Sequence, residues 1–128
     1  MIVVLVVVVG VVLANKEKPK AETAVKPVAA KEQQKSLPKM MELGAEKCVP
    51  CKMMMPIVEE LQKEYKNKLE VVFIDVLKNS AAIDKYDIKS IPTQIFFDKS
   101  GKEFFRHTGF FSKKDVLKTF AEHGIKLD

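Results

Sequence analysis

The chain has 128 residues, 47% of them hydrophobic, and a formal net charge of +5. That length supports one hydrophobic core and not two, and two cysteines exclude a framework of several disulfides. Nucleic-acid binding by charge is excluded as well. Residues 15–36 carry six Lys against three Glu, residues 37–128 carry 16 Lys and Arg against 14 Asp and Glu, and no basic stripe interleaved with aromatics appears.

Met1 to Ala14 is a nearly unbroken run of Val, Ile and Leu. At about 1.5 Å per residue its helix would span roughly 20 Å, short of a bilayer core of about 30 Å, but its length suits the apolar region of a signal peptide. Residues 1–14 are therefore expected to be a signal peptide or membrane anchor rather than a strand of the core. Against export stand an n-region without Lys or Arg and the flank of Lys16, Lys18 and Lys20, which would hold an uncleaved anchor's following domain in the cytoplasm. Residues 15–27, rich in Lys, Ala, Glu and Pro, read as a solvated linker. The folded domain is expected over residues 28–128, with a short helix from Val28 to Ser36 stopped by Pro38.

Met40 to Gly44 reads as a strand, and Cys51 to Lys66 as an amphipathic helix bent at Pro56. Leu69 to Leu77 is the strongest strand signal, an apolar run of the kind buried on both faces. Ala81 to Tyr86 forms a short helix and Thr93 to Asp98 a strand. Lys99-Ser100-Gly101-Lys102 is a hairpin turn into Glu103 to His107. Ser112 caps a last helix, Asp115 is its third residue, and Gly124 ends it. The early strand–helix–strand crossover dictates parallel pairing and the hairpin adds an antiparallel edge. The fold class is α/β, a mixed, mainly four-stranded sheet with helices on both faces.

Both cysteines lie in Glu46-Lys47-Cys48-Val49-Pro50-Cys51-Lys52, between the first strand and the first helix. In that context Cys-x-x-Cys reads as redox chemistry rather than zinc. Zinc takes four ligands, and the chain offers Cys48, Cys51, His107 and His123 with no close-spaced His pair. A helix start stabilises a thiolate through unpaired N–H groups and the macrodipole, so Cys48 is the candidate nucleophile. Cys51, one turn on, is placed to resolve a mixed disulfide. Pro50 costs nothing in a first turn, where its missing donor has no helical partner. Lys47 and Lys52 flank the nucleophile and either stabilise its thiolate or are solvated surface.

Over Lys39 to Phe120 the sequence resembles the thioredoxin family. The resemblance rests on Ala45-Glu46-x-Cys48-x-Pro50-Cys51-Lys52, Pro56 five residues after Cys51, Tyr86-x-Ile88 leading to Ile91-Pro92-Thr93, Phe97-Asp98-x-x-Gly101, and Gly109. It implies the thioredoxin fold and a thiol–disulfide oxidoreductase whose redox group is the Cys48–Cys51 disulfide, with no other cofactor and no metal. It also implies a cis Pro92 facing the dithiol, with the Ile91 backbone turned out to pair with an extended substrate. Val49, Pro50, Ile91, Pro92 and Gly109 become the expected substrate-binding residues. Glu42 falls where the family has a buried carboxylate, usually Asp, that takes the proton of the resolving thiol. A Glu on a strand could equally face solvent. Departures are Lys47 for the family's Trp, Val49 for its Gly, Phe73 for a Lys that often pairs with the buried acid, and the soft Met53-Met54-Met55 run.

The expected activity is reduction of disulfides in protein substrates by a monomer, tethered or secreted outside the cytoplasm. Electrons would come from a donor the sequence does not identify, such as a membrane thiol shuttle. The alternatives are an oxidase or isomerase of exported proteins, a redox-latched binding module, and a cytoplasmic location.

Overall fold

The computed structural model describes residues 36–128. The expectations for a leader, a linker and the helix before Ser36 fall outside those residues. Seven elements follow in order: β1 (Lys39–Gly44), α1 (Val49–Glu64), β2 (Glu70–Asp75), α2 (Ala81–Lys85), β3 (Thr93–Phe97), β4 (Glu103–Thr108) and α3 (Lys113–Glu122). The strands form one sheet in the order β2-β1-β3-β4, with β1 parallel to β2 and antiparallel to β3, and β3 antiparallel to β4. Among the described residues no helix is long and apolar enough to cross a membrane.

Side-chain alternation along β1 assigns the two faces of the sheet. Met40 packs with Val58 and Leu61 of α1 and with Val116 and Phe120 of α3, whereas Met41 and Leu43 pack with Ala82 of α2 and with Ile88. The first face is the larger core. Its centre is Phe96, fully buried and in ring contact with Phe104, Phe105, Phe111 and Phe120 at centroid distances of 5.2–6.2 Å.

Two sequence expectations are corrected. The first helix starts at Val49, two residues before the expected Cys51, because Cys48 itself caps it. The apolar run of β2 is not buried on both faces: it lies at the sheet edge, and apart from Val71 its residues are half-buried or exposed. The central strands are β1 and β3, because the chain returns from α2 to the other side of β1.

The chain turns are set by short polar side chains. Ser112 Oγ accepts from the Asp115 N–H at 3.1 Å and starts α3, and Gly124 ends it at φ +74°. Asp98 Oδ1 accepts from the N–H groups of Ser100 at 2.8 Å and Lys102 at 3.1 Å in the β3–β4 turn.

Phe96→Ala is expected to cost about 3–5 kcal/mol of unfolding free energy, since four rings lose their common neighbour. Urea unfolding measures it. A loss below about 1 kcal/mol would show that the rings close over the gap.

Candidate functional site

The site is built where β1 ends against the start of α1. Gly44, the last residue of β1, has no side chain, and a Cβ there would lie 3.2 Å from both Cβ and Sγ of Cys51 and 3.4 Å from the Phe73 ring. That missing methyl lets α1 begin directly on the strand. Cys48 then takes an extended backbone (φ −89°, ψ 124°) and caps the helix, its Sγ accepting from the Cys51 N–H at 3.4 Å. Val49 and Pro50 supply the first two helical residues, so Pro50 sits where an N–H has no helical partner.

Cys48 and Cys51 are joined as a disulfide, with Cα atoms 5.1 Å apart. The two sulfurs are unequal. Cys51 is 1% exposed, while Cys48 is half-buried at the surface. Lys47 and Lys52 are exposed on either side of Cys48. Pro56 lies within α1 and removes the N–H that would bond the Lys52 carbonyl.

The Ile91–Pro92 peptide is cis, with Ile91 half-buried and Pro92 buried. The Gly109 N–H donates to the Pro92 carbonyl at 2.7 Å, with Gly109 at φ +102°, a conformation that favours glycine. Beyond it Phe111 N–H donates to Met54 Sδ at 3.3 Å, which fastens the turn to α1. Val49, Met53 and Phe110 are the exposed large apolar side chains on these segments.

Glu42 does not face solvent. It is 0% exposed, on the same face of β1 as Met40 and Gly44, and so on the side covered by α1. Neither carboxyl oxygen has a hydrogen-bond partner. Burial pushes its pKa up to about 8; the Gln94 side chain, paired opposite it, pulls the value down without completing a hydrogen bond of normal geometry. Phe73 is its other cross-strand neighbour, so no lysine adjoins it from β2.

Three residues of the site had no assigned role in the sequence. Asp75 accepts from the N–H groups of Leu77 at 2.8 Å, Lys78 at 3.2 Å and Glu46 at 3.3 Å, and Lys78 reaches back to Glu46 at 2.6 Å. These bonds tie the loop after β2 to the turn that carries Cys48. Although some desolvation works against it, the three N–H groups and the Lys78 charge hold the Asp75 carboxyl below its usual range. An acid closing an apolar strand was the available signal. Gln94, a fully buried polar residue in an apolar strand, and Phe110, an aromatic just past a glycine, were also legible as oddities. A cleft of about 690 Å³, lined by Lys39, Tyr86, Phe97 and Ser100, lies at the opposite end of β1 from the cysteines.

A solvent-facing sulfur at a helix start, bonded to a buried one a turn later and backed by a cis-proline turn, defines a dithiol–disulfide exchange site. Comparison with known proteins gives the family. The thioredoxin family model matches residues 22–123. Thioredoxin of Staphylococcus epidermidis is 35% identical over 85 residues, covering 66% of this chain and 81% of the relative. Thioredoxin of Staphylococcus aureus is 34% identical over 84 residues, covering 66% and 80%. A solved structure described as that of a malarial protein superimposes with a TM-score of 0.64 at 25% identity, over 68% of this chain and 97% of the other. The chain belongs to the thioredoxin family and is a thiol–disulfide oxidoreductase, a protein-disulfide reductase. Its redox group is the disulfide, and among the described residues no three His, Cys, Asp or Glu side chains gather as metal ligands.

The buried acid has a consequence for stability. In the unfolded chain Glu42 ionises near 4.5, but in the fold only near 8. Below pH 4.5 it is neutral in both states. As pH rises from 4.5 to 8 the unfolded state alone releases the proton, so the fold loses stability over that window and no more above it. Glu42→Gln should match the parent near pH 4 and exceed it at pH 8.5 by roughly 3–5 kcal/mol. Urea unfolding at the two pH values measures this, and an equal difference at both would mean that the carboxyl is not held neutral.

Proposed function

We propose that the chain is a reductase working outside the cytoplasm, in which Cys48 attacks, Cys51 resolves and Glu42 takes the resolving proton. The observation that carries the roles is the asymmetry of the disulfide, one sulfur at the surface and capping a helix, the other buried above the strand that holds Glu42.

In the reduced protein the Cys48 thiolate attacks one sulfur of a substrate disulfide. That S–S bond breaks, the first substrate thiolate leaves and takes a proton, and a mixed disulfide joins Cys48 to the other substrate sulfur. Cys51 then transfers its proton to the Glu42 carboxylate, attacks Cys48 Sγ, and expels the second substrate thiolate. Two electrons pass from the dithiol to the substrate. A carboxyl titrating near 8 is suited to that proton, since its affinity lies close to that of a thiol. Lys47 and Lys52 favour the Cys48 thiolate from the surface, an effect weakened by salt.

The Ile91 backbone beside Pro92 pairs with an extended substrate segment, and Val49, Pro50, Pro92 and Gly109 border it. The exposed side chains of Val49, Met53 and Phe110 give that border an apolar character suited to unfolded stretches. A donor dithiol returns the disulfide to the reduced state. For an exported monomer that donor is a membrane thiol shuttle, and residues 1–14 carry the export signal or anchor.

Cys51→Ser should accumulate mixed disulfides with substrate proteins and Cys48→Ser none, as read on non-reducing gels. In the reduced parent, pulsed alkylation should label Cys48 first, with a midpoint below the free-cysteine value of about 8.5. Preferential labelling of Cys51 would reverse the roles. Single-turnover kinetics of Glu42→Gln should show slower resolution near neutral pH and little change in the first attack. Unaltered resolution from pH 5 to 9 would remove Glu42 from the mechanism.

An exported-side reporter fused after Asp128 should be active, and the chain should be recovered either cleaved near Asn15 or in membranes. Activity of a cytoplasmic reporter alone would place the domain on the reducing side and overturn the location.

A further inference from the structure

We propose that Gln94 is a positioning residue for the Glu42 carboxyl: its amide supplies a partner to either protonation state and transmits that state to the Gly109 turn. The inference gains its catalytic meaning from the reading of Glu42 as the base, but the pairing itself is independent of that reading.

Glu42 and Gln94 are register partners across β1 and β3, so their side chains stand next to each other on one face of the sheet. Both are 0% exposed. Three buried atoms there have no hydrogen-bond partner: both carboxyl oxygens of Glu42 and Oε1 of Gln94. A neutral carboxyl carries one O–H and an ionised one carries none, while an amide carries an acceptor oxygen and two N–H donors. Neutral Glu42 can thus donate to Gln94 Oε1 and relieve two of the three orphans. Ionised Glu42 instead needs a donor, and Gln94 Nε2 has a second N–H, the first being given to the Gly109 carbonyl at 3.1 Å. The Gln94 side chain is also the group that lowers the Glu42 pKa against burial.

Exchange between the two arrangements is a rotation about the last torsion of Gln94, which is soft. That rotation acts on the bond to Gly109, and Gly109 in turn is bonded to Pro92. The protonation of a buried acid is thereby felt at the turn behind the cis proline.

Other groups on this face are few. Cys51 of α1 is the titratable neighbour above, Phe73 of β2 is uncharged, and α3 contributes Val116 and Phe120. His107 of β4 pairs with Gln94 on its far side, and its Nε2 is bonded to the Phe110 carbonyl at 3.2 Å. In the oxidised protein Cys51 does not titrate, which leaves His107 as the neighbour to be followed separately.

The test is an NMR titration of the oxidised full chain, with the Glu42 carboxyl carbon, the Gln94 side-chain amide, the Gly109 amide and the His107 ring observed together. The Gln94 and Gly109 signals should move with the Glu42 midpoint and not with that of His107. In Gln94→Leu the Glu42 midpoint should rise by about one pH unit or more, because the ionised form loses its donor, and the Gly109 amide should no longer follow it. In the reduced protein the pH profile of the resolving step should move to higher pH by the same amount. A Glu42 midpoint unmoved in Gln94→Leu overturns the proposal. Should that variant not fold, Gln94 and Gly109 signals that stay flat through the parent's Glu42 titration overturn it equally. Failure of Glu42→Gln to slow resolution is a separate result, since it would remove the base role and leave these titrations as they are.

Discussion

The dithiol depends on how closely α1 can start against the end of β1. The contact between Gly44 and Cys51 sets that distance: with no Cβ on the strand, Cys51 settles against the backbone and is sealed from solvent. Once α1 is seated there, Cys48 has to be the residue that turns from extended loop to helix, and its sulfur takes the capping position. A larger residue at 44 would lift the helix start and separate the cysteines from the acid beneath them. Asp75 and the Glu46–Lys78 ion pair hold the same corner from the side of β2, so the loop before Cys48 is fixed at both ends.

The electrostatics of the site divide by depth. Lys47 and Lys52 are exposed, so any charge they present to Cys48 passes through solvent, where ions screen it. Glu42 lies where solvent does not reach, its ionisation is disfavoured, and an uncharged amide, not a lysine, is its neighbour. The fold accepts a stability cost above pH 4.5 to keep a carboxyl in this position. That cost is the expected mark of a functional group in an otherwise apolar core.

Much of this was legible in the residues. The four strands and three helices of the domain were readable because each carries local punctuation: Gly44, the Asp98 to Lys102 turn, Ser112 with Asp115, and Gly124. The placement of β2 was not readable, because an apolar run looks the same at the middle of a sheet and at an edge half-covered by helices. The start of α1 was read late because cysteine is not among the usual capping residues. Glu42 offered two faces, and only the packing of Met40 and Gly44 to either side of it chooses one. Gln94 bonds Gly109 15 positions away, and Asp75, besides its neighbours Leu77 and Lys78, bonds Glu46 29 positions away; those long-range bonds lie beyond the reach of any local pattern.

The unequal exposure of the two sulfurs also orders the proposed catalytic cycle. In the oxidised protein the buried Cys51 is closed to attack, so a reducing partner has to enter at Cys48 Sγ. Under the roles proposed above, that same atom is the one that meets the substrate in the reduced protein. On that proposal donor and substrate share a single docking surface in alternation. The proposed cycle is thus of the ping-pong type, in which each partner would inhibit by competing for the form that belongs to the other.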